Sequence, residues 1–355
     1  MNAWQELKAI VVDATGTELT ADERALFAAE KPAGFILFKR NCVSKQQVSD
    51  LVASVREAVG RDDLPVLIDQ EGGTVARLRA PEFREYPAAK IFGELAQDAA
   101  EQGLEATRVS AYLMALDLAD MGITVNCAPV VDVPAPDCHE FLSASRTFSD
   151  SPDMVGQLGE AVCRGLLAGQ VTPVIKHIPG HGRARVDSHF GLPVVEVPAD
   201  ILSRTDFKPF KYLAQTNMKT ALWAMAAHVV YSSLDSDSAA TVSARVTRDV
   251  IRGEIGFDGV LIADDISMKA LGGTIEDRVA RTMGAGMDLT MICNASFDDR
   301  VKALSATPKV SAQAAQRLAE AERQRTSFTA SGNDNGAREA LHEKLAALLQ
   351  QRKTG

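Results

Sequence analysis

The chain has 355 residues, 46% of them hydrophobic, and a net charge of −9 at pH 7. This length supports one large domain or two ordinary ones, and no run approaches the roughly 20 apolar residues of a membrane span. The acidic balance disfavours nucleic-acid and anionic-membrane partners, and five scattered cysteines disfavour a disulfide framework. Because the N-terminal sequence also lacks the basic-then-apolar layout of a signal peptide, we predict a cytoplasmic protein.

Short apolar segments alternate with longer amphipathic ones along most of the chain. The predicted strands are 8–13, 34–40, 64–69, 123–129, 172–177, 220–228, 259–265 and 289–294. Helices are predicted over 44–60, 99–122 and 152–169, the last with Ser151 as N-cap and Pro152 at its first position. This alternation predicts an α/β fold with a parallel sheet. The count of eight strands favours a single-domain (β/α)8 TIM-type barrel over a doubly wound open sheet.

A polar segment at 326–337 interrupts the alternation near the end of the chain. After it, Ala337, Leu341, Leu345 and Leu348 recur at helical spacing. We predict a barrel domain over 1–330, followed by a linker and C-terminal helix over 331–355. The helix is expected to pack on the barrel or on a neighbouring subunit.

The predicted strands end in charged or hydrogen-bonding residues. These are Asp13, Lys39 and Arg40, Asp69, Asp132, Lys176 and His177, His228, Asp264 and Asp265, and Cys293 and Asn294. In barrels of this kind, functional groups gather where the strands end and the following loops begin. The pattern therefore predicts one shared polar pocket.

The segment KHIPGHGRARVDSHFGLP (176–193) holds three of the six histidines. His177 and His181 have the spacing of a helical metal pair, but Pro179 and its neighbouring glycines disfavour a helix, and no cysteine pair completes a zinc site. The phosphate-loop motifs GxxxxGK[ST] and GxGxxG are absent. Asp187 can orient His189 for acid/base work, although such a pair on its own is more often a structural surface pair. We predict no metal, a mobile Pro/Gly loop, and three histidines that do not form one cluster.

Several motifs together resemble the β-N-acetylglucosaminidases of glycoside hydrolase family 3, of the NagZ type. The motifs are GFILFKRN (34–41), LIDQEGGTVARL (67–78), NCAPVVDV (126–133), SRTFSD (145–150), KHIPGHG (176–182) with VDSH (186–189), AMAAHVVY (224–231), IADDISMKAL (262–271) and AGMDLTMICN (285–294). They span nearly the whole predicted barrel in the order of the single-domain bacterial members.

This resemblance implies a retaining mechanism through a covalent glycosyl-enzyme. Asp264 is the implied nucleophile, and Asp187 with His189 takes the place of the usual carboxylic acid/base. His189 would donate a proton to the leaving oxygen and then activate water. We expect Asp265 to point away from Asp264 and to bond backbone or a cationic side chain.

The resemblance also assigns sugar-binding residues. Those implied are Asp69, Arg77, Arg146, Lys176, His177, His228 and Met268. Arg77 and Arg146 also fit structural ion pairs beneath the pocket, and His181 is assigned to loop structure. Ile178 stands where the family has phenylalanine, and the FLSAS run before Arg146 departs from the family pattern.

By implication, the protein removes terminal non-reducing N-acetylglucosamine from muropeptides that carry it on 1,6-anhydro-N-acetylmuramic acid, in peptidoglycan recycling. No cofactor is expected, the partner is a small carbohydrate, and the chain is a monomer or weak homodimer. A β-N-acetylglucosaminide phosphorylase, a β-glucosidase and a non-catalytic sugar-binding barrel are the alternatives. Both catalytic carboxylates and His189 count against the last of these.

Overall fold

A closed, all-parallel eight-stranded barrel forms the centre of the computed structural model. The structure describes residues 3–136, 138–140, 144–186, 191–268, 270–328 and 335–350. Around the barrel the strands follow the order β1-β11-β10-β7-β5-β4-β3-β2. They are β1 (Lys8–Val12), β2 (Pro32–Leu37), β3 (Val66–Ile68), β4 (Val125–Asn126), β5 (Thr172–Ile178), β7 (Trp223–Ala226), β10 (Val260–Asp265) and β11 (Leu289–Ile292). Each lies within or overlaps one predicted strand, so the (β/α)8 prediction is confirmed.

The barrel strands are buried because both of their faces are covered. Runs such as Ala9–Val12 and Val66–Ile68 are at most 1% exposed, and their β-branched side chains suit a doubly covered strand. In-register pairs include Ile36 with Leu67 and Leu67 with Val125. The strand interiors are therefore apolar, and polar groups concentrate at the carboxyl ends.

Helices surround the barrel. They are α1 (Ala21–Glu30), α2 (Lys45–Val59), α3 (Ala89–Asp98), α4 (Ala100–Ala119), α5 (Pro152–Ala168), α6 (Ala199–Arg204), α7 (Lys208–Ala214), α8 (Ile275–Gly284), α9 (Phe297–Ala306), α10 (Ala312–Ser327) and α11 (Asn335–Gln350), with a π-helical segment at Val246–Glu254. Ser44 caps α2 by accepting from the Gln47 amide, and α5 begins at Pro152 after the N-cap Ser151 as predicted. No helix in the described part of the chain is long and apolar enough to span a membrane.

The C-terminal helix α11 packs on α4 of the same chain. Arg338 forms two hydrogen bonds to the Asp120 carboxylate, at 2.6 and 2.9 Å, and Lys344 lies 2.5 Å from Glu105. Leu345 is buried against the core, as its spacing predicted. Of the two packing arrangements predicted for this helix, the structure has the one on the barrel.

A second, three-stranded sheet was not predicted. It consists of β6 (Val194–Val195), β8 (Val230–Tyr231) and β9 (Asp235–Ala239), in the order β6-β8-β9. Its strands belong to the loops that follow β5 and β7. The sheet anchors the chain immediately after residues 187–190, since the Val230 amide donates to the Pro193 carbonyl at 3.0 Å.

Candidate active site

A cavity of ≈ 300 Å³ opens at the carboxyl ends of the barrel strands. The charged and polar residues that line it include Asp69, Glu71, Thr74, Arg77, His139, Arg146, Lys176, His177, His181, Asp264, Asp265 and Asn294. Apolar side chains such as Ile36, Phe38, Met225, Met268 and Met291 line the rest. The ends of β3, β5, β10 and β11 thus supply the shared polar pocket that the sequence predicted.

An alternating chain of five charged side chains forms one wall. Lys176 Nζ lies 2.8 Å from Asp69 Oδ1 and 2.7 Å from Glu71 Oε1. Arg77 donates to Asp69 Oδ2 at 2.9 Å, and Arg146 donates to both Glu71 oxygens at 2.9 and 2.7 Å. Both predicted arginines therefore pair with carboxylates and also line the cavity. Glu71, which links Lys176 to Arg146 in this chain, was not predicted.

The pairing keeps these groups charged despite their burial. Burial alone would raise the pKa of the Asp69 carboxyl, but Lys176 and Arg77 outweigh it and lower the pKa. Glu71 behaves alike, with Arg146 and Lys176 lowering its pKa to about 2. Burial would lower the pKa of Lys176, but the two carboxylates raise it instead. Asp69 and Glu71 therefore present ionised acceptors, and Lys176 an ionised donor, to a polyol.

Asp132, which is buried and follows β4, holds the turn after β5. Its Oδ2 lies 2.7 Å from His177 Nδ1, and its Oδ1 accepts from the His177 and His181 amides at 3.1 and 2.7 Å. The carboxylate fixes the orientation of the His177 ring, with Nδ1 turned towards Asp132 and Nε2 on the far side of the ring. Both histidine rings line the cavity, with centroids 5.4 Å apart. His177 and His181 therefore lie side by side, whereas the prediction that all three histidines do not form one cluster stays a prediction, because His189 lies outside the described residues.

The Pro/Gly stretch fits tightly, so the prediction of a mobile loop is wrong for residues 177–182. All six are buried. Gly180 has φ 139°, and its carbonyl accepts from Tyr231 Oη at 2.7 Å. A Cβ on Gly182 would lie 1.9 Å from the Val133 carbonyl oxygen. The glycines give the backbone close approach to its neighbours, which sequence alone does not distinguish from freedom to move.

Gly182→Ala is expected to destabilise the protein by about 1–3 kcal/mol, because the backbone of the turn or of Val133 must shift. Gly16→Ala is the matched control, since a Cβ there meets nothing within 4 Å. Urea unfolding of both variants tests this expectation. Equal midpoints for the two variants would show that the turn has room for a side chain.

His181 is buried, with 7% of the residue exposed. Neither of its nitrogens has a hydrogen-bond partner among the described residues. Burial, followed by the effect of neighbouring His177, lowers the pKa of the ring to about 4, so it is neutral at pH 7. The assignment of His181 to loop structure accounts for its backbone and leaves its ring unexplained.

The neutral state of His181 makes stability depend on pH. In the unfolded chain the ring takes up a proton below about pH 6.5, whereas in the folded chain it does so only near 4. Stability is therefore present above the unfolded pKa and is lost as pH falls towards the folded one. Between pH 7 and 5 the wild type should lose about 1–2 kcal/mol more than His181→Phe. Urea titrations at both pH values measure this difference, and parallel losses would refute it.

Asp132, His177 and His181 are the group in the described part of the chain whose ligand atoms approach within 4.8 Å of one another. Two histidines and a carboxylate are a donor set that zinc accepts. Both Asp132 oxygens, however, already take part in three hydrogen bonds that hold the turn. A metal there would have to compete with those bonds.

Asp264, the predicted nucleophile, lies at the end of β10 and lines the cavity. Its Oδ1 accepts from the Asp265 amide at 2.8 Å. Asp265 is buried and accepts from the Ser267 amide, the Ser267 hydroxyl and the Cys293 amide. Burial raises the pKa of Asp265 despite these bonds. The expectation that Asp265 bonds backbone is confirmed, and Asp264 is the more exposed carboxylate of the two.

Two predicted sugar-binding residues occupy different positions. Met268 lines the cavity. His228 does not: it is 1% exposed, with Nδ1 2.7 Å from Thr241 Oγ1 and Nε2 2.9 Å from the Asp265 carbonyl oxygen. Because both ring nitrogens are used inside the protein, His228 supports the Asp264–Asp265 strand end from behind, and the prediction of direct sugar contact is corrected.

Asp187 and His189 lie outside the described residues. Val186, directly before this segment, lines the cavity, and β6 follows it at Val194. Of the ten predicted site residues, seven line the same cavity. These seven are Asp69, Arg77, Arg146, Lys176, His177, Asp264 and Met268.

Sequence reasoning missed Glu71 and the hydrogen bonds by which Asp132 holds His177 and His181. A signal for Glu71 existed, since a buried Lys176 beside two arginines needs more than one carboxylate, and Glu71 follows Asp69 by two positions. Phe38, also missed, has Arg77 5.1 Å from its ring centre at the cavity wall.

A (β/α)8 barrel with paired carboxylates, a buried lysine and a strand-end aspartate around one cavity defines a barrel enzyme suited to a polyhydroxylated substrate. Residues 4–325 match the glycosyl hydrolase family 3 N-terminal domain. The chain belongs to this family, and it is a glycoside hydrolase of the β-N-acetylhexosaminidase type.

Individual relatives agree with this membership. The chain is 35% identical to a beta-hexosaminidase of Stenotrophomonas maltophilia (strain R551-3) over 82% of this chain and 84% of that one. NagZ from Neisseria gonorrhoeae, solved in complex with N-trifluoroacetyl-D-glucosamine, is 28% identical with a TM-score of 0.84, over 97% and 98% of the two chains. A family 3 β-N-acetylglucosaminidase from Paenibacillus sp. str. FPU-7 is 25% identical with a TM-score of 0.83, over 98% of this chain and 69% of that one.

Proposed function

We propose that this enzyme removes terminal, non-reducing β-linked N-acetylglucosamine with retention of configuration. The observation that carries the proposal is the position of Asp264 at the end of β10, in the same cavity as the ionised Asp69–Lys176–Glu71 wall. The wall supplies hydrogen-bonding groups for sugar hydroxyls, and Asp264 supplies the nucleophile.

In the first step, the Asp264 carboxylate attacks the anomeric carbon while the glycosidic C–O bond breaks. The departing oxygen takes the proton of the His189 imidazolium, which leaves a glycosyl ester on Asp264 and a neutral imidazole. In the second step, water attacks the anomeric carbon and gives its proton to His189. The ester breaks, and Asp264 regains its charge.

Asp187 is proposed to orient His189 and to stabilise its protonated form. The position of the preceding residue, Val186, on the cavity wall supports this role. The tight turn at 177–182 and the strand β6 hold the chain on either side of the segment.

Asp69, Lys176, His177 and Arg77 are proposed to bind the hydroxyls of the sugar, with Met268 against its apolar face. Arg146 is proposed to act mainly through Glu71, since its Nε and Nη2 both donate to that carboxylate and both side chains are 7% exposed. The N-acetyl group selects the substrate through fit and hydrogen bonding, and Asp264 serves as the nucleophile.

The broader setting rests on the family resemblance. We propose that the substrate is a muropeptide carrying N-acetylglucosamine on 1,6-anhydro-N-acetylmuramic acid, that the enzyme acts in the cytoplasm in peptidoglycan recycling, and that it works as a monomer or weak homodimer without a cofactor. Residues 1–330 are proposed as the catalytic domain, with 331–355 as linker and C-terminal helix.

Turnover of aryl β-N-acetylglucosaminide and aryl β-glucoside, each with and without inorganic phosphate, tests the activity. We expect free N-acetylglucosamine as product in both buffers, and much slower release from the glucoside. If N-acetylglucosamine 1-phosphate were the product in phosphate buffer, the enzyme would be a phosphorylase and the proposal of hydrolysis would be wrong. Equal turnover of the glucoside would contradict N-acetyl specificity.

A further inference from the structure

The His181 ring is buried, lines the cavity and has two unpaired nitrogens among the described residues. Its backbone is already held, because its amide donates to Asp132 and its carbonyl accepts from the Ala184 amide at 3.1 Å. The turn therefore does not depend on the ring. An apolar side chain would hold the same position without burying unsatisfied nitrogens.

The electrostatic surroundings indicate what the ring can bind. Burial, His177 and Arg146 disfavour the charged form of the ring. Asp132 and Asp264 favour the charged form, but their effect is smaller. A neutral imidazole offers one donor and one acceptor. This combination suits a hydroxyl or an amide, which also donate and accept, better than a carboxylate or phosphate, which prefers a cation.

We propose that His181 is a substrate-binding residue that hydrogen-bonds a neutral hydroxyl or acetamido group of the bound sugar. The inference rests on the proposed function, which it extends by adding a polar contact in the same cavity beyond the Asp69–Lys176–Glu71 chain. In the ligand-free protein the unpaired nitrogens reduce stability, and the sugar removes that cost when it binds.

His181→Phe tests the proposal, with His342→Phe on α11 as the matched control and His181→Gln as the conservative variant. We expect His181→Phe to lower kcat/KM for aryl β-N-acetylglucosaminide by about 10- to 100-fold. Its melting temperature without ligand should equal or exceed that of the wild type. His181→Gln keeps a neutral donor and acceptor and should recover part of the loss, and His342→Phe should keep wild-type kinetics.

The aryl β-glucoside separates the two kinds of group. A loss confined to the N-acetylated substrate assigns the contact to the acetamido group, and an equal loss on both substrates assigns it to a ring hydroxyl. Unchanged kcat/KM in His181→Phe would overturn the proposal. A lowered melting temperature with no specific kinetic loss would overturn it in favour of a purely structural ring.

Two further controls keep the tests distinct. If EDTA removed wild-type activity and zinc restored it, His181 would be a metal ligand and the proposal would be wrong. If the wild type turned over neither substrate, the proposed function would fail. The thermal shift produced by N-acetylglucosamine would then test His181 alone, because the proposal predicts a smaller shift in His181→Phe than in the wild type.

Discussion

Replacing Asp264 with asparagine is expected to lower kcat/KM for aryl β-N-acetylglucosaminide by about 10⁴-fold or more. An amide cannot form the glycosyl ester on which a retaining mechanism depends. The fold should persist, because the amide oxygen can still accept from the Asp265 amide, as the carboxylate does at 2.8 Å. Steady-state kinetics, with urea unfolding as the check on folding, measure both effects.

Asp265→Asn is the neighbouring control. Asp265 accepts from two backbone amides and a hydroxyl, so an amide NH₂ in its place would face donors. We expect a stability loss of about 1–3 kcal/mol and a much smaller kinetic effect than at Asp264. The reverse ranking, with Asp265→Asn the less active variant, would contradict the assignment of Asp264 as the nucleophile.

Lys176→Met is expected to have the largest effect on stability. Lys176 is 2% exposed and bridges Asp69 and Glu71, so its removal leaves two largely buried carboxylates without their shared cation. Breaking such a network costs about 3–5 kcal/mol. The loss should be smaller at pH 5 than at pH 8, because Asp69 and Glu71, left with one arginine partner each, can then take up a proton more readily.

Lys211→Met is the matched control for that variant. Lys211 lies 2.6 Å from Glu254, but the two side chains are 25% and 40% exposed. Partly exposed pairs contribute at most about 1 kcal/mol. Urea unfolding should therefore separate the two variants clearly. A Lys176→Met protein as stable as Lys211→Met would mean that the network contributes little to stability.

The barrel was predictable because its signal is local. Each buried strand is a short apolar run, and the amphipathic spacing of segments such as Lys45–Val59 fixes the helices. The three-stranded sheet of β6, β8 and β9 was not predictable in this way. Its strands are two to five residues long, and one of them is the polar run Asp235–Ala239.

The site was predictable only in part, because partners depend on contacts between distant segments. Lys176 and Asp69 are 107 residues apart, so the sequence around Lys176 does not show that Asp69 and Glu71 are its partners. For the same reason, sequence placed His228 beside the sugar, whereas Thr241 and the Asp265 carbonyl hold both of its nitrogens. Side-chain direction at a strand end also decides which of Asp264 and Asp265 faces the cavity more openly.

The most direct test of the mechanism is to trap the covalent intermediate. His189→Ala should form the glycosyl ester quickly from an aryl substrate with a good leaving group and should hydrolyse it slowly, because no base activates water. Mass spectrometry of the quenched, pepsin-digested protein should then find one N-acetylglucosaminyl group on the peptide that contains Asp264, and none in His189→Ala combined with Asp264→Asn. A sugar on another residue, or substrate turnover by the double variant, would contradict a retaining mechanism through Asp264.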